Sequence, residues 1–385
     1  MRNVAGTCAC ILIVSLGGVD SSLAQTADQD ALVFSVGLQH LYDGNFFRSP
    51  AEIEEEVTRA SAAIRFRKQF SSQRLLLSAS GSQYRYAEQE ALDASALEGQ
   101  LIWHSQLTTN ISTQLDWQRE ETPVDKLEFI GKDLVAREDA NARISFGESK
   151  RLGFTLGYHQ LNTRHSNVER RELNFQDQDF FSEVRYKSAL GSWLGLRYRE
   201  GNRQYEMLSQ RSFDFDYRQW EIETAWKMTS KTKLTGLVGY FDRAAKSDVL
   251  TDNDGDGMLT NLKMEWAISE KLITEISYRF SQPAIGETSD SPAEVSDTSV
   301  LLQWQFSPKV QLGFGASYAE LDYAERMAMT ARTERNLTIT PLQISWFYSD
   351  AINLRLTSQW MDRSSPILER DYQGYSAALA LTFHF

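Results

Sequence analysis

Hydrophobic and polar residues alternate along most of this chain. In the segment that begins near position 31, the apolar positions Leu32, Phe34, Val36 and Leu38 alternate with Val33, Ser35, Gly37 and Gln39. A period of two with one apolar face predicts a β-strand, because successive side chains of a strand point to opposite faces. A slip of one residue would exchange the two faces, so the pattern also specifies the register in which strands pair.

Counting such segments predicts eighteen strands. They lie near 31–41, 57–69, 74–86, 95–106, 110–120, 135–147, 152–163, 177–187, 193–204, 216–228, 232–243, 258–268, 272–282, 297–306, 310–321, 335–348, 352–361 and 374–385. The segment 177–187 is the least regular. Misreading one weak segment would give sixteen strands, because bacterial single-chain barrels have an even number of strands.

The connections between segments alternate between short and long. Eight short polar turns are predicted at 70–73, 107–110, 148–151, 189–192, 229–231, 269–271, 307–309 and 349–351, and longer charged stretches separate the hairpins. Solenoids and propellers also repeat at such periods, but this repeat carries no Trp-Asp or Gly-rich signature. The fold class predicted is therefore all-β, a transmembrane antiparallel up-and-down β-barrel with 18 strands, and 16 as the alternative. A barrel of this size can leave an aqueous channel.

The last segment adds a second signal. Tyr375, Leu379, Leu381, Phe383 and Phe385 share one face of the terminal strand. An apolar face that ends on an aromatic residue resembles the closing strand of bacterial outer-membrane barrels. That resemblance implies an assembly signal read by the barrel assembly machinery. An amphipathic strand of a soluble sandwich is the alternative for this segment alone.

The first residues predict a signal peptide over 1–24 and a single barrel domain over 25–385. Arg2 precedes an apolar run from Cys8 to Val19, and Ser22-Leu23-Ala24 fits a cleavage site. Both cysteines lie in this segment, so the mature chain is expected to have no thiol and no disulfide. The predicted location is the bacterial outer membrane.

Composition narrows the function classes. The net charge is -12 and no basic stripe is present, which argues against nucleic acid. A mean hydropathy of -0.42 argues against a helical membrane protein. It agrees with a barrel, in which only alternate residues meet lipid.

Charged residues share parity with the polar faces of their strands. The candidate pore-lining residues are Arg59, Arg65, Arg67, Arg143, Arg185, Arg197, Arg199, Glu221, Glu223, Glu275, Arg279 and Arg355. They predict either a pore that guides a hydrophilic solute or cross-strand ion pairs that brace the wall. Arg59, Arg65 and Arg67 form the best candidate for a positive stripe attracting an anion.

One acidic stretch predicts either a weak calcium site or an acidic turn. Asp252, Asp254 and Asp256 alternate before Gly257 in a loop taken to run from Asp248 to Asn261, as in the first half of an EF-hand loop. Lys263 stands at the twelfth position, where a bidentate Glu is needed, so a complete EF-hand is excluded. No other cofactor is predicted.

The five histidines predict no catalytic centre. No pair has metal-ligand spacing, and His40, His104 and His159 are assigned to the inward face. An outer-membrane lipase would need a Ser-His pair with an orienting Asn on the lipid-facing wall, and no such motif stands out.

The stretch from Leu41 to Pro50 carries a family resemblance. Tyr42-Asp43-Gly44-Asn45 followed by Phe46, Phe47 and Arg48 resembles the opening of β-barrel porins encoded in exopolysaccharide operons, including the exosortase-associated ones. Chain length, early first strand and aromatic C-terminus are similar over essentially the whole mature chain. The family supplies no substrate residues, but polarity and position suggest that Asp43, Asn45 and Arg48 tie the first long loop to the rim.

The resemblance implies a passive outer-membrane channel for a hydrophilic polymer, secreted exopolysaccharide. Expected partners are outer-membrane lipid, lipopolysaccharide, the polysaccharide and inner-membrane or periplasmic export proteins. A general or small-solute diffusion porin is the first alternative. Barrel enzymes of the lipase or deacylase type and adhesion barrels are the others. Long loops of comparable length, none the size expected of a plug, favour a wider or singly gated pore.

Overall fold

Eighteen β-strands make up nearly all of the structure. The computed structural model describes residues 31–206, 213–246, 253–284, 287, 292–324 and 330–385. The strands are β1 (Ala31–Asp43), β2 (Glu55–Phe70), β3 (Gln73–Tyr86), β4 (Ala94–Gln106), β5 (Ile111–Pro123), β6 (Leu134–Phe146), β7 (Leu152–His165), β8 (Phe175–Lys187), β9 (Trp193–Tyr205), β10 (Phe215–Lys227), β11 (Thr232–Ala245), β12 (Gly255–Ala267), β13 (Leu272–Ser281), β14 (Glu294–Ser307), β15 (Val310–Tyr323), β16 (Arg332–Ser349), β17 (Ile352–Ser364) and β18 (Tyr372–His384).

The sheet closes on itself. Each strand pairs antiparallel with its neighbours along the chain, and β1 also pairs with β18, from Ser35 opposite His384 to Asp43 opposite Ser376. The predicted eighteen-stranded up-and-down barrel is confirmed, and the sixteen-stranded alternative is wrong. The least regular segment is a full strand, β8, paired with β7 and β9. Within the described ranges, no helix has the length and apolarity needed to cross a membrane.

Short and long connections lie at opposite ends of the barrel. All eight predicted turns join consecutive strands at one end, here called the turn end. The long connections lie at the other end, here called the loop end, and three of them contain a short 3₁₀ helix, at Glu90–Leu92, Val168–Leu173 and Leu368–Arg370. The described chain begins in β1 and finishes after β18 at the turn end.

The two faces of the wall differ as the alternation predicts. On β1, Leu32, Phe34, Val36 and Leu38 are 43–54% exposed on the outward face. His40 follows them at the same parity and is also exposed, so its predicted inward position is wrong. Aromatic residues of the outward face gather in two belts. The turn-end belt includes Phe70, Trp103, Phe146, Tyr186, Trp226, Trp266, Trp304 and Phe383, and the loop-end belt includes Tyr42, Tyr158, Trp220, Tyr240, Tyr278, Tyr318, Trp360 and Tyr375.

A proline interrupts the alternation once. Pro341 lies inside β16, where the pairing with β17 shifts between Ile339 and Leu342. Proline has no N–H for the ladder, so it is tolerated at a bulge. The shift lets Thr338 and Thr340 before it and Gln343 and Ser345 after it all share the inward face.

Residues after β1 lock the seam between the first and last strands. Gly44 N–H donates to Tyr375 O at 2.9 Å, and Asn45 Nδ2 donates to Gln373 O at 2.8 Å. Arg48 makes a bidentate pair with Asp43, both bonds 2.8 Å long. Asp43 and Asn45 are 3% and 0% exposed. The suggested tie by Asp43, Asn45 and Arg48 is confirmed, and we call these residues with Gly374 the seam lock.

Buried apolar residues form small clusters inside the loop end. Phe46 packs with Val57, Tyr84, Tyr86 and Ala96. A second cluster holds Leu161, Phe175, Tyr205, Phe215 and Ala284, and a third holds Val295, Ala319, Leu321 and Tyr323. In the described residues, apolar packing thus anchors connecting loops against the inward face near one mouth.

We predict that Gly374→Ala weakens barrel closure. A Cβ at Gly374 would lie 2.8 Å from Asn45 Cβ, and overpacking of this kind costs about 1–3 kcal/mol. The variant should lose its heat-resistant folded band in gel electrophoresis at a lower temperature than the unmodified protein. Gly81→Ala is the matched control, since its nearest contact would be an ordinary 3.7 Å to Leu97. Equal melting of both variants would contradict the seam lock.

Candidate functional site: the charged lumen and its inward loop

All twelve candidate pore-lining residues lie on the inward face by strand register. They are Arg59, Arg65, Arg67, Arg143, Arg185, Arg197, Arg199, Glu221, Glu223, Glu275, Arg279 and Arg355. The structure brings together five of them on neighbouring strands β8 to β10. The others are distributed around the wall, so they do not form one site.

The five clustered residues belong to an ion-pair network. Arg197 lies 2.6 Å from Glu223 and 3.3 Å from Glu221, and it also pairs with Glu183 at 2.7 Å. Arg199 is connected to this network by an ion pair with Glu221. Arg185 is connected to it by an ion pair with Glu183. Arg197, Glu183 and Glu221 are only 2–4% exposed, so each charge depends on its partners.

The proposed stripe of Arg59, Arg65 and Arg67 is not continuous. Arg59 is 5% exposed, donates to Glu98 at 2.9 Å and lies over the Tyr84 ring. Its charge is therefore compensated within the wall, while Arg65 and Arg67 lie nearer the turn end. Elsewhere, Glu275 pairs with Lys263 at 2.5 Å, and Arg143 donates to the neutral Gln114.

Several charged residues of the network were missed by the sequence reasoning. Asp177 accepts from Arg203 at 2.8 Å and from the Tyr217 hydroxyl at 2.7 Å. Asp179 accepts from Arg199 and contacts His159, each at 2.9 Å. Alternation could have identified these residues, because they share parity with Glu183 or Arg199.

A loop enters the lumen and completes this network. The connection between β13 and β14, residues 282–293, is here called the lumen loop. Its Glu287 accepts from Arg203 of β9 at 2.8 Å. Its Ala284 is 1% exposed and packs with Leu161, Phe175, Tyr205 and Phe215 of β7 to β10. None of these partners lies on β13, on β14 or on a strand next to them, so Ala284 and Glu287 lie against another part of the wall.

Glu287 lies among cations. Besides Arg203, the guanidinium groups of Arg137 and Arg243 are within electrostatic range of its carboxylate. Arg243 also donates to Gln282 O at 2.8 Å, which holds the base of the lumen loop against β11. Arg203 stacks on Phe175 at 4.4 Å and on Phe215 at 5.4 Å. Rings and carboxylates together orient a guanidinium more firmly than either alone.

Three further loops pack against one another over the mouth. They follow β1, β5 and β7. Arg48 lies 3.8 Å from Asp125, and Lys126 lies 6.0 Å from the centre of the Phe46 ring. Arg170 pairs with Glu128 at 2.5 Å and with Asp133 at 3.3 Å. The expectation of a wider or singly gated pore, which was drawn from loop length, stays a prediction. These contacts show that the three loops are joined to one another at the loop end.

Asp133 holds the joint between the second and third of these loops. Its carboxylate has no exposed surface and accepts hydrogen bonds from His165 at 2.6 Å and from the Asn167 N–H at 2.9 Å. Burial alone would raise the pKa of Asp133, but these hydrogen bonds and the charge of Arg170 hold that pKa below its usual range.

Asp254 and Asp256, two of the three candidate calcium residues, make different contacts. Asp252 lies outside the described residues. Asp254 accepts from the Ala245 N–H at 3.2 Å, and Asp256 lies within β12, opposite Asp242. The predicted loop to Asn261 is wrong, because β12 begins at Gly255. Among the residues that the structure describes, no three acidic or histidine side chains are grouped to hold a metal ion.

Two further histidines, His159 and His384, serve as hydrogen-bond partners. His384 Nδ1 lies 2.9 Å from Ser35 Oγ across the seam, and His159 bridges Asp139 and Asp179. These contacts link strands within the wall.

We predict that acid loosens the joint around Asp133. Because its pKa is lowered in the folded state, its contribution to stability is present above the unfolded pKa of about 3.9 and is lost as the pH falls through the folded value. Hydrogen exchange in residues 124–133 and 166–174 should therefore accelerate as the pH falls below about 4. In Asp133→Asn, exchange should already be fast at neutral pH and lose this dependence. The exposed Glu90→Gln variant should behave like the unmodified protein.

Comparison with known proteins finds likeness in structure alone. No protein-family profile and no curated protein matches the sequence. OpdK, an outer membrane protein of Pseudomonas aeruginosa, is 10% identical, with a TM-score of 0.51 over 92% of this chain and 99% of its own. A BenF-like porin from Pseudomonas fluorescens is 9% identical, with a TM-score of 0.54 over 93% and 99%. OccAB4 of Acinetobacter baumannii is 11% identical, with a TM-score of 0.51 over 93% and 99%. At these identities the likeness shows the fold, and the chain has the eighteen-stranded barrel architecture seen in these porins.

Proposed function

We propose that the protein is a bacterial outer-membrane channel through which small hydrophilic solutes pass passively. One observation carries this proposal: in a closed barrel with a charged inward face, Ala284 and Glu287 of the connection between β13 and β14 pack against the inward side of β7 to β10. These contacts hold the lumen loop in place.

The outward face supports a membrane location. Tyr375 and Phe383 lie in the two aromatic belts, eight residues apart on β18. At about 3.3 Å per residue and a tilt of about 40°, the belts are roughly 20 Å apart along the barrel axis, close to the ~25 Å apolar band of outer-membrane barrels. Exposed leucine, valine and phenylalanine fill the interval, which suits lipid rather than water.

The inward face supports passage of a hydrophilic solute. Guanidinium and carboxylate groups from at least four neighbouring strands line the lumen beside the lumen loop. These groups favour water in the channel, and the loop limits the cross-section. OpdK, one of the compared proteins, has been crystallised with the small molecule vanillate. This precedent is consistent with a solute of modest size here.

Export of a polysaccharide is the competing hypothesis, and its basis is narrow. The motif from Tyr42 to Arg48 that suggested it forms the seam lock, where Asp43, Asn45 and Arg48 bind one another and β18. These contacts explain the motif through barrel closure. A role in closure does not depend on the cargo, so the motif gives polymer export little support.

The proposal is tested by reconstitution. The purified protein in planar bilayers should conduct ions, and in liposome-swelling assays it should admit monosaccharides faster than trisaccharides. Absence of conductance would refute a channel. Equal passage of small sugars and long glycans would instead favour polymer export.

We predict that releasing the lumen loop widens the channel. Deleting residues 284–291 should raise the single-channel conductance about twofold or more, because an unplugged barrel of this size leaves an aqueous channel. Glu287→Gln, which removes the ion pair to Arg203 and the charge facing Arg137 and Arg243, should make conductance noisier and intermediate in size. The exposed loop-end residue Glu369 provides the control, since Glu369→Gln should change nothing. Unchanged conductance in both lumen-loop variants would mean that this loop does not limit the pore.

A further inference from the structure

Charge is unequally distributed between the two ends of the barrel. We define the turn-end ring as the cations in the eight turns and the two strand residues on either side. They are Arg74, Lys150, Arg151, Lys187, Lys227, Lys231, Lys233, Lys271 and Lys309, and the carboxylates in the same positions are Glu148, Glu270 and Asp350. The ring is thus strongly basic, although the whole chain has a net charge of -12.

Most cations of this ring are not neutralised. Lys233 lies 3.8 Å from Glu265. Within the described part of the chain, the ion pairs include none made by Lys150, Arg151, Lys187, Lys231 or Lys271. Deeper cations differ sharply, since Arg197, Arg199 and Arg203 each contact carboxylates at 2.6–3.3 Å. The ring therefore keeps its charge available to solutes.

Inward arginines continue this positive surface into the turn-end half of the lumen. Arg355 lies in the first turn-end residues of β17 between Ser345 and Ala380, and its Nε is buried with no hydrogen-bond partner among the described residues. Arg143 contacts a neutral amide, Gln114. The register neighbours of Arg355, Ser345 and Ala380, carry no carboxylate that could compensate its charge.

The loop end has the opposite character. Its long connections carry carboxylates such as Glu52, Glu54, Glu88, Glu90 and Asp93, and its most buried cations are paired with them or with others. Glu334, which is 0% exposed, is contacted by Arg332, Arg363 and Arg370. An anion approaching this end meets acidic loops, whereas an anion approaching the turn end meets free cations.

We propose that the turn-end ring makes the channel capture organic anions, bearing carboxylate or phosphate groups, faster from the turn side than from the loop side. This rests on the proposed channel function. Charges of one sign at a narrow entrance raise the local concentration and on-rate of the opposite sign. The Debye length is about 8 Å at physiological salt, so the ring acts at its own entrance and is separated from the loop end. With both described chain ends at the turn end, bacterial barrels of this type place that entrance in the periplasm.

Single-channel block by a tricarboxylate, citrate, and by a sugar phosphate, glucose 6-phosphate, tests the proposal. The orientation of each channel is read with an impermeant maleimide on Ser230→Cys, in a full chain that also carries Cys8→Ser and Cys10→Ser. At low salt, the on-rate from the turn side should exceed that from the loop side about tenfold, and the ratio should fall as salt is raised. Neutral glucose should show no side preference. Block by one anion alone would identify which of the two groups the ring favours.

Two triple variants remove the same number of positive charges, one variant at each end of the barrel. Lys150→Gln, Lys231→Gln and Lys271→Gln together should reduce the ratio about threefold or more. The control removes three exposed loop-end cations, Arg85→Gln, Arg218→Gln and Arg335→Gln, and should leave the ratio unchanged or larger. Conductance with equal on-rates from both sides, or equal effects of the two triple variants, would overturn the inference. If the unmodified protein conducts no ions at all, the proposed channel function is refuted.

Discussion

Pairing between the first and last strands is the interaction on which the rest of this structure depends. In the proposed membrane location, the apolar outward face meets no water that could satisfy unpaired backbone groups, so an open edge would be costly. The ladder between β1 and β18 closes that edge, and the seam lock extends it by two hydrogen bonds beyond Asp43. At the other end, Phe34 and Phe385 exchange backbone hydrogen bonds of 3.2 and 2.8 Å, so closure spans the full height of the barrel.

Closure also forces charge into the interior. Once the apolar side chains face outward, the opposite parity carries arginine, glutamate and aspartate into a confined space. Arg203 shows how a buried charge is tolerated there, since it pairs with Asp177 and Glu287 and stacks on two aromatic rings. Glu287 comes from the lumen loop, so the same interactions that compensate the wall narrow the passage.

The resemblance at the start of the chain is accounted for by architecture. Tyr42 to Arg48 meets β18, and its polar groups are satisfied by one another and by Gln373 and Ser49. A motif with this role can recur wherever a barrel must close, whatever it transports. Information about cargo lies instead in the lumen, where sequence resemblance to the compared porins is only 9–11%.

The alternation of side chains determined the strands, their number, the eight turns and the face of each candidate lining residue. These properties are local, because the period of two and the turn residues act between near neighbours in sequence. His40 shows that even a local rule must be applied strictly, since its parity matches that of Leu38. Only the tertiary structure decided that Ala284 and Glu287 reach β7 to β10, that Arg59 is compensated by Glu98, and that Asp254 accepts from Ala245 while Asp256 lies in β12. Those contacts join residues far apart in sequence, and their partners are set by how the closed wall curves and how the loops pack inside it.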